Sequence, residues 1–329
     1  MAEFNIRRLI SGGLITNYFC TSRCRHCLYR CGPRWPKKYM NPETGEKSLR
    51  LIRKLGCRSV HIGGGEPMLR PDELGQILDA AARAGVHAAY VETNSSWFRD
   101  MASAQSVLSD LREKGLQTFL VSISPFHNEF VPFSKISGVM EACERTGISI
   151  FPWVADFIPD LSAFDPDTAH PLKDYEEKFG ENYLLQILKR YWIHTGGRAL
   201  DTFRTILPNK SPRQILAENR GGCAQELSDT SHFHIDLFGN YIPGLCSGLS
   251  ISIDDLGKPL SEKEYPVLTT LFHSGIKGIL ALAQENFGYA PAREGYINKC
   301  DLCSEIRAFF VEQGFGGESE LNPGAFYRF

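Results

Sequence analysis

Cys20, Cys24 and Cys27 stand at spacings of four and three residues in the run CTSRCRHCLYRC, and Cys31 follows four residues later. Thiolates are soft ligands suited to zinc or to iron–sulfur clusters. Structural zinc asks for a closed tetrahedral set, commonly assembled from C-x2-C pairs, whereas the regular spacing here supplies three ligands. A four-iron cluster held by three cysteines keeps one iron open for a substrate or cofactor. The chain has ten cysteines; in a reducing compartment these are not expected to pair as disulfides, so metal or redox chemistry is the leading use. A second set, Cys223, Cys246, Cys300 and Cys303, includes a C-x2-C pair in NKCDLC and suits either zinc or a cluster. Cys57 and Cys143 read as small packing residues. Between the two sets lies HIGGGEPML at residues 61–69, whose glycines let the backbone approach a ligand with carbonyls free to accept hydrogen bonds.

The elements that position these residues alternate along the first half of the chain. β-like runs at 13–19, 58–62, 86–93, 117–123 and 148–155 are separated by amphipathic stretches. NPETGEKSLRLIRKLG and RPDELGQILDAAARAG begin near proline and end at glycine, and SGVMEACERTG also ends at glycine, as crossover helices between parallel strands do. The expected fold is α/β, a partial (β/α)6 TIM-like barrel with a small C-terminal β-hairpin and helical extension. Its reactive surface should lie where strands hand over to βα loops, and both motifs fall at such ends. Residues 1–222 are expected to form the barrel, 156–222 a lid or insertion within it, and 223–329 the extension. A sixth barrel strand must follow 156–222, and residues 232–243 read as a hairpin turning at Gly239-Asn240.

Composition narrows the function. With 36 lysines and arginines against 38 acidic residues, no excess charge draws the chain to nucleic acid or anionic lipid. Hydrophobic residues at 43% and charged residues at 22% describe an ordinary globular protein. No apolar run is read as a bilayer span and the start lacks a signal-peptide core, so a cytoplasmic location is expected.

The C-x3-C-x2-C spacing after the first strand, with His26 just before the last cysteine, followed by GGEP at Gly64–Pro67 after the second strand, resembles the radical S-adenosylmethionine (radical SAM) enzymes. The resemblance implies that Cys20, Cys24 and Cys27 hold a [4Fe-4S] cluster whose open iron binds the methionine moiety of S-adenosylmethionine. Gly64 and Gly65 would accept hydrogen bonds from its ammonium group, with Glu66 and Pro67 fixing the turn. Thr93 and Asn94, and Ser122 and Ser124, occupy strand ends where relatives contact the cofactor, although Ser95 replaces a common glycine; each pair is equally compatible with ordinary turn chemistry. The second cysteine set resembles the SPASM or twitch extensions, the single-cluster twitch kind fitting best, with zinc as the alternative.

The reaction implied is reductive cleavage of S-adenosylmethionine to a 5′-deoxyadenosyl radical and hydrogen abstraction from a peptide, protein or amino-acid-like substrate. The electron donor would be of the flavodoxin or ferredoxin kind. Dehydrogenation of a small molecule is the second reading, activation of a glycyl radical enzyme a weaker one, and an iron–sulfur electron carrier or sensor the non-enzyme alternative. Near the strand ends, His61, His127, Trp153 and Asp156 are candidates to line a pocket, with His127 and Asp156 preferred for substrate contact. Cys31, on the reactive side, is a candidate hydrogen-atom donor or substrate contact.

Overall fold

The computed structural model describes residues 3–316 and 320–328. Five parallel strands, β1 (Gly12–Ile15), β2 (Ser59–Gly63), β3 (His87–Thr93), β4 (Thr118–Ser122) and β5 (Ser149–Trp153), follow the expected spacing. The helices between them, Pro42–Lys54, Pro71–Ala84, Met101–Glu113 and Phe133–Thr146, start and stop for local reasons. Asn41 and Asp100 accept hydrogen bonds from the Thr44 and Ser103 amides, and Gly85 and Gly147 end their helices in the left-handed conformation. Each helix turns its apolar side, such as Leu74, Ile77 and Leu78, onto a sheet whose Leu14, Ile62, Val91 and Phe119 are fully buried.

The hairpin is present as β6 (Phe233–Asp236) and β7 (Asn240–Ile242), with a short β8 (Ile251–Ser252) beyond. The strand order is β5-β4-β3-β2-β1-β6-β7-β8. β6 is therefore the sixth parallel strand, and it lies against β1 rather than beyond β5. The sheet stays open. The two strands that follow run antiparallel, as a tight turn at Gly239 requires.

Residues 156–222 form short helices, among them Leu172–Phe179, Tyr183–Arg190 and Arg198–Phe203, around buried Tyr175, Tyr183 and Phe203. The C-terminal part is dominated by the helices Pro266–Phe287 and Lys299–Glu312. The first of these corrects the expectation of no span-length apolar stretch: it is 22 residues long and apolar enough to cross a membrane by length and composition. Its apolar side chains, including Leu268, Leu271, Ile276 and Ile279, pack inside the protein, and the helix breaks at Gly275. Polar residues threaded among them, such as Thr270, His273 and Lys277, hid the run in the sequence.

Candidate functional site

The cysteine loop departs from β1 and is closed at its neck. Cys20 N–H donates to Gly32 O at 3.3 Å and Gly32 N–H to Tyr18 O at 3.1 Å, so residues 20–31 form one compact excursion over the sheet. Asn17 ties this loop to the GGGEP turn. Its amide donates to Phe19 O (3.1 Å) and Glu66 O (3.0 Å), while Gly65 N–H donates to Asn17 O at 2.7 Å. Gly65 has no room for a side chain, because a Cβ there would sit 2.1 Å from Phe19 O.

Glu66 is fully buried and faces away from the open space. Its carboxylate accepts from Asn94 N–H (2.6 Å), Thr93 Oγ1 (3.0 Å) and Met68 N–H (3.1 Å). Burial raises its pKa to about 7, opposed by these same donors. The Asn94 side chain then reaches Cys20 Sγ at 3.2 Å, and Ser22 N–H points at the same sulfur at 3.3 Å. Thus β2, β3 and the cysteine loop share one hydrogen-bonded frame.

Within it lies a cavity of about 350 Å³ lined by Cys20, Cys24, Cys27 and Cys31, by Gly64, Gly65 and Pro67, and by His26, Thr93, Asn94, Ser122, His127 and Trp153. Ser124 and Asp156 stand outside it, and so, contrary to expectation, does His61, which is buried in β2. Ser124 is buried and shares a hydrogen bond with His127 Nδ1 at 2.7 Å. Asp156 is a correction to the expected substrate contacts: the chain turns into the helical segment Ala155–Phe157 immediately after β5, leaving Asp156 exposed with its carbonyl accepting from Arg190. Cys31 lies beside Cys27, its thiol donating to it, which lowers the Cys27 pKa and raises that of Cys31. Burial drives the Cys24 thiol well up and Cys20 to about 12.

Residues 14–147 match the family described as the Radical SAM superfamily. This segment is a radical SAM domain. Its family implies S-adenosylmethionine and a [4Fe-4S] cluster as cofactors. Among curated proteins, GTP 3′,8-cyclase of Aquifex aeolicus is 28% identical over 116 residues, 33% of this chain and 33% of that protein. A probable GTP 3′,8-cyclase of Methanothermobacter marburgensis is 27% identical over 39% of each. The chain thus spans well under half the length of these relatives. Among solved structures, anSMEcpe with bound AdoMet aligns over 92% of this chain and 98% of its own at 13% identity and a TM-score of 0.45. BtrN in complex with AdoMet and 2-DOIA aligns over 84% and 91% at 13% identity and a TM-score of 0.43.

Several residues around the radical SAM domain's cavity carried no sequence motif. Arg198, buried at the start of its helix, donates to Cys24 O and Cys31 O at 2.7 Å each. Tyr191, Trp192, Ile193 and His194 cover one wall, and Tyr90, Glu92 and His232 line the floor. Glu92 belongs to the strand alternation of VETN, a signal available in the sequence; Arg198 is far from any motif and was not legible.

The second cysteine set also converges. Cys223, Cys246, Cys300 and Cys303 line one cavity of about 190 Å³ together with Lys299, Arg307 and His194, the last shared with the first cavity. Cys300 sits in the first turn of the helix Lys299–Glu312, capped by Asn298, and Cys303 follows three residues on. Burial raises Cys223 to about 11 and Cys300 to about 12. Among the described residues, His61, His232 and His234 form a group whose ligand nitrogens lie within 4.8 Å of one another. Four thiols on one cavity suit either a zinc ion or an iron–sulfur cluster.

Proposed function

We propose that the chain is a radical SAM enzyme that abstracts a hydrogen atom from a peptide, protein or amino-acid-like substrate, using an auxiliary four-iron cluster in residues 223–329. The observation that carries the reading is the meeting of Cys20, Cys24 and Cys27 with Gly64, Gly65 and Pro67 around one cavity. Cys20, Cys24 and Cys27 would hold the first cluster and Cys223, Cys246, Cys300 and Cys303 the second. When bound, cluster and S-adenosylmethionine supply reductive cleavage and a 5′-deoxyadenosyl radical.

The chain's own residues orient and enclose. Asn94 and Ser22 aim donors at Cys20, Glu66 fixes the strand-end backbone, and Arg198 anchors the cysteine loop from outside. Residues 191–194, part of the 156–222 segment proposed as a lid, shield the cavity from water on one side. His127 is proposed to meet the substrate, Ser122 the cofactor, and Cys31 to be a hydrogen-atom donor beside Cys27. A donor of the flavodoxin or ferredoxin kind is proposed to deliver the electron.

A second reading, dehydrogenation of a small molecule, draws support from the cavity's volume of about 350 Å³, at the low end for ligand sites. Incubating reduced, reconstituted protein with S-adenosylmethionine tests the common core: 5′-deoxyadenosine should be released, and Cys24→Ala should abolish release. Persistence of release at the normal rate in that variant would remove the cluster assignment. Iron and sulfide analysis of anaerobically purified protein tests the second cluster; stoichiometric zinc would replace it.

A further inference from the structure

Behind His232, which lines the larger cavity, lies a histidine cluster that neither cofactor uses, its other two members His61 and His234 buried. β1 runs between β2 and β6, and the registers place Gly13 opposite both His61 and His234. Because Gly13 has no side chain, the two imidazoles meet across it: a Cβ at Gly13 would stand 2.5 Å from His61 Nε2. Their Nε2 atoms are 2.9 Å apart. His232, two residues before His234 and on the same side of its strand, stacks on His61 with centroids 5.3 Å apart and lines the cavity. One nitrogen from each of the three rings lies within 4.8 Å of the others.

We propose that His61, His232 and His234 bind one divalent transition-metal ion beside this cavity, with an open position facing the substrate space.

Four observations support that assignment. Imidazole is a borderline ligand suited to zinc and its neighbours, and three protein ligands with a vacancy are the catalytic pattern rather than the structural one. Tetrahedral zinc with bonds of about 2.0 Å separates its nitrogens by about 3.3 Å, so the His61 and His234 rings need part only by a few tenths of an ångström. The other ring nitrogen of His234 is occupied: Tyr29 OH lies 2.7 Å from Nδ1, the outer partner that fixes which nitrogen faces a metal. Finally, Glu92 Oε1 stands 3.8 Å from His61 Nε2, a carboxylate beside the site to balance its charge.

The competing arrangement is a bare hydrogen bond between two neutral imidazoles. It uses one donor and one acceptor and leaves His232 without a role. A bound ion would instead engage all three rings and hold an oxygen or nitrogen donor of the substrate, such as a carboxylate, amide or hydroxyl, at a fixed depth below the cysteine loop. The metal site stands or falls independently of the radical reading, because metal uptake needs no turnover.

Cluster-reconstituted protein, washed with a mild chelator, is titrated anaerobically with Zn2+ while protein-bound iron is monitored. One equivalent should bind without loss of iron, and zinc-edge absorption should show nitrogen or oxygen neighbours at about 2.0–2.1 Å without sulfur at about 2.3 Å. The paired substitution His61→Gln/His234→Gln should lose this equivalent. Tyr29→Phe, which spares all three ligands, should weaken it by about ten- to a hundredfold. Should the paired variant fail to retain its iron, His232→Gln at the exposed edge of the cluster serves in its place, with at least tenfold weaker binding expected. Uptake unchanged in the histidine variants, sulfur among the zinc neighbours, or no uptake at all would overturn the proposal.

Discussion

At the scale of single residues, the frame around Cys20 makes separable predictions. Hydrogen bonds to a cluster's sulfur ligands stabilise the reduced state and set its potential. Asn94→Ala removes the donor 3.2 Å from Cys20 Sγ while leaving the backbone amide that Glu66 holds. Its cluster should be harder to reduce, seen as a lower midpoint in an EPR-monitored redox titration; an unchanged midpoint would show that this contact does not reach a cluster. His127 yields a pH dependence. Burial pushes it from 6.5 down to about 4, so the unfolded chain takes up the proton first as pH falls. The stability linked to this group is complete above pH 6.5 and disappears as pH drops through 4. Between pH 7 and 5 the loss is at most about 2 kcal/mol. Denaturant midpoints for His127→Gln should accordingly change less over that interval than wild type does.

At the scale of elements, what could be read in advance follows from the range of the interactions involved. The helix Pro71–Ala84, with proline at its start and Gly85 at its end, is specified by neighbours in sequence, and so was visible there. The β6–β7 hairpin was visible for the same reason. Its docking on β1 was not, because parallel pairing between Gly12–Ile15 and residues more than 200 positions away leaves no local mark. The same holds for the cavity. Cysteine spacing reveals Cys20, Cys24 and Cys27, but the register that brings His61 and His234 together over Gly13 exists only once β6 is placed. Arg198 is the sharpest case: its two bonds to Cys24 O and Cys31 O span 174 and 167 residues. Hydrogen bonds from a charged donor are worth about 1.5–3 kcal/mol each, and their loss leaves buried carbonyls unpaired. Arg198→Met should therefore cost about 3 kcal/mol or more in denaturant unfolding and shorten the lifetime of iron retention, with helix content by circular dichroism preserved.

At the scale of the whole molecule, assigning one cysteine set to residues 1–222 and the other to 223–329 divides the chemistry without dividing the fold. β6 supplies the neighbour that covers the outer edge of β1, the strand from which the cysteine loop departs. Tyr18, two residues before Cys20, donates to Asp236 at 2.9 Å, and Phe4 stacks on Phe272 with centroids 4.6 Å apart while its carbonyl accepts from Leu260 N–H. A chain ending at Gly222 would expose the edge of β1 and leave Phe4, Leu14 and Ile15 without much of their cover, an aggregation-prone surface next to the first cluster site. Such a truncation should show no cooperative unfolding transition, bind a hydrophobic dye and fail to hold iron. By contrast, Cys300→Ser in the full chain removes a proposed second-site ligand but no strand, and should keep the cooperative transition and the iron of the first site. If the truncated chain unfolded cooperatively and held four irons, the two halves would be independent folding units, and the dependence of the cysteine loop on β6 would be refuted.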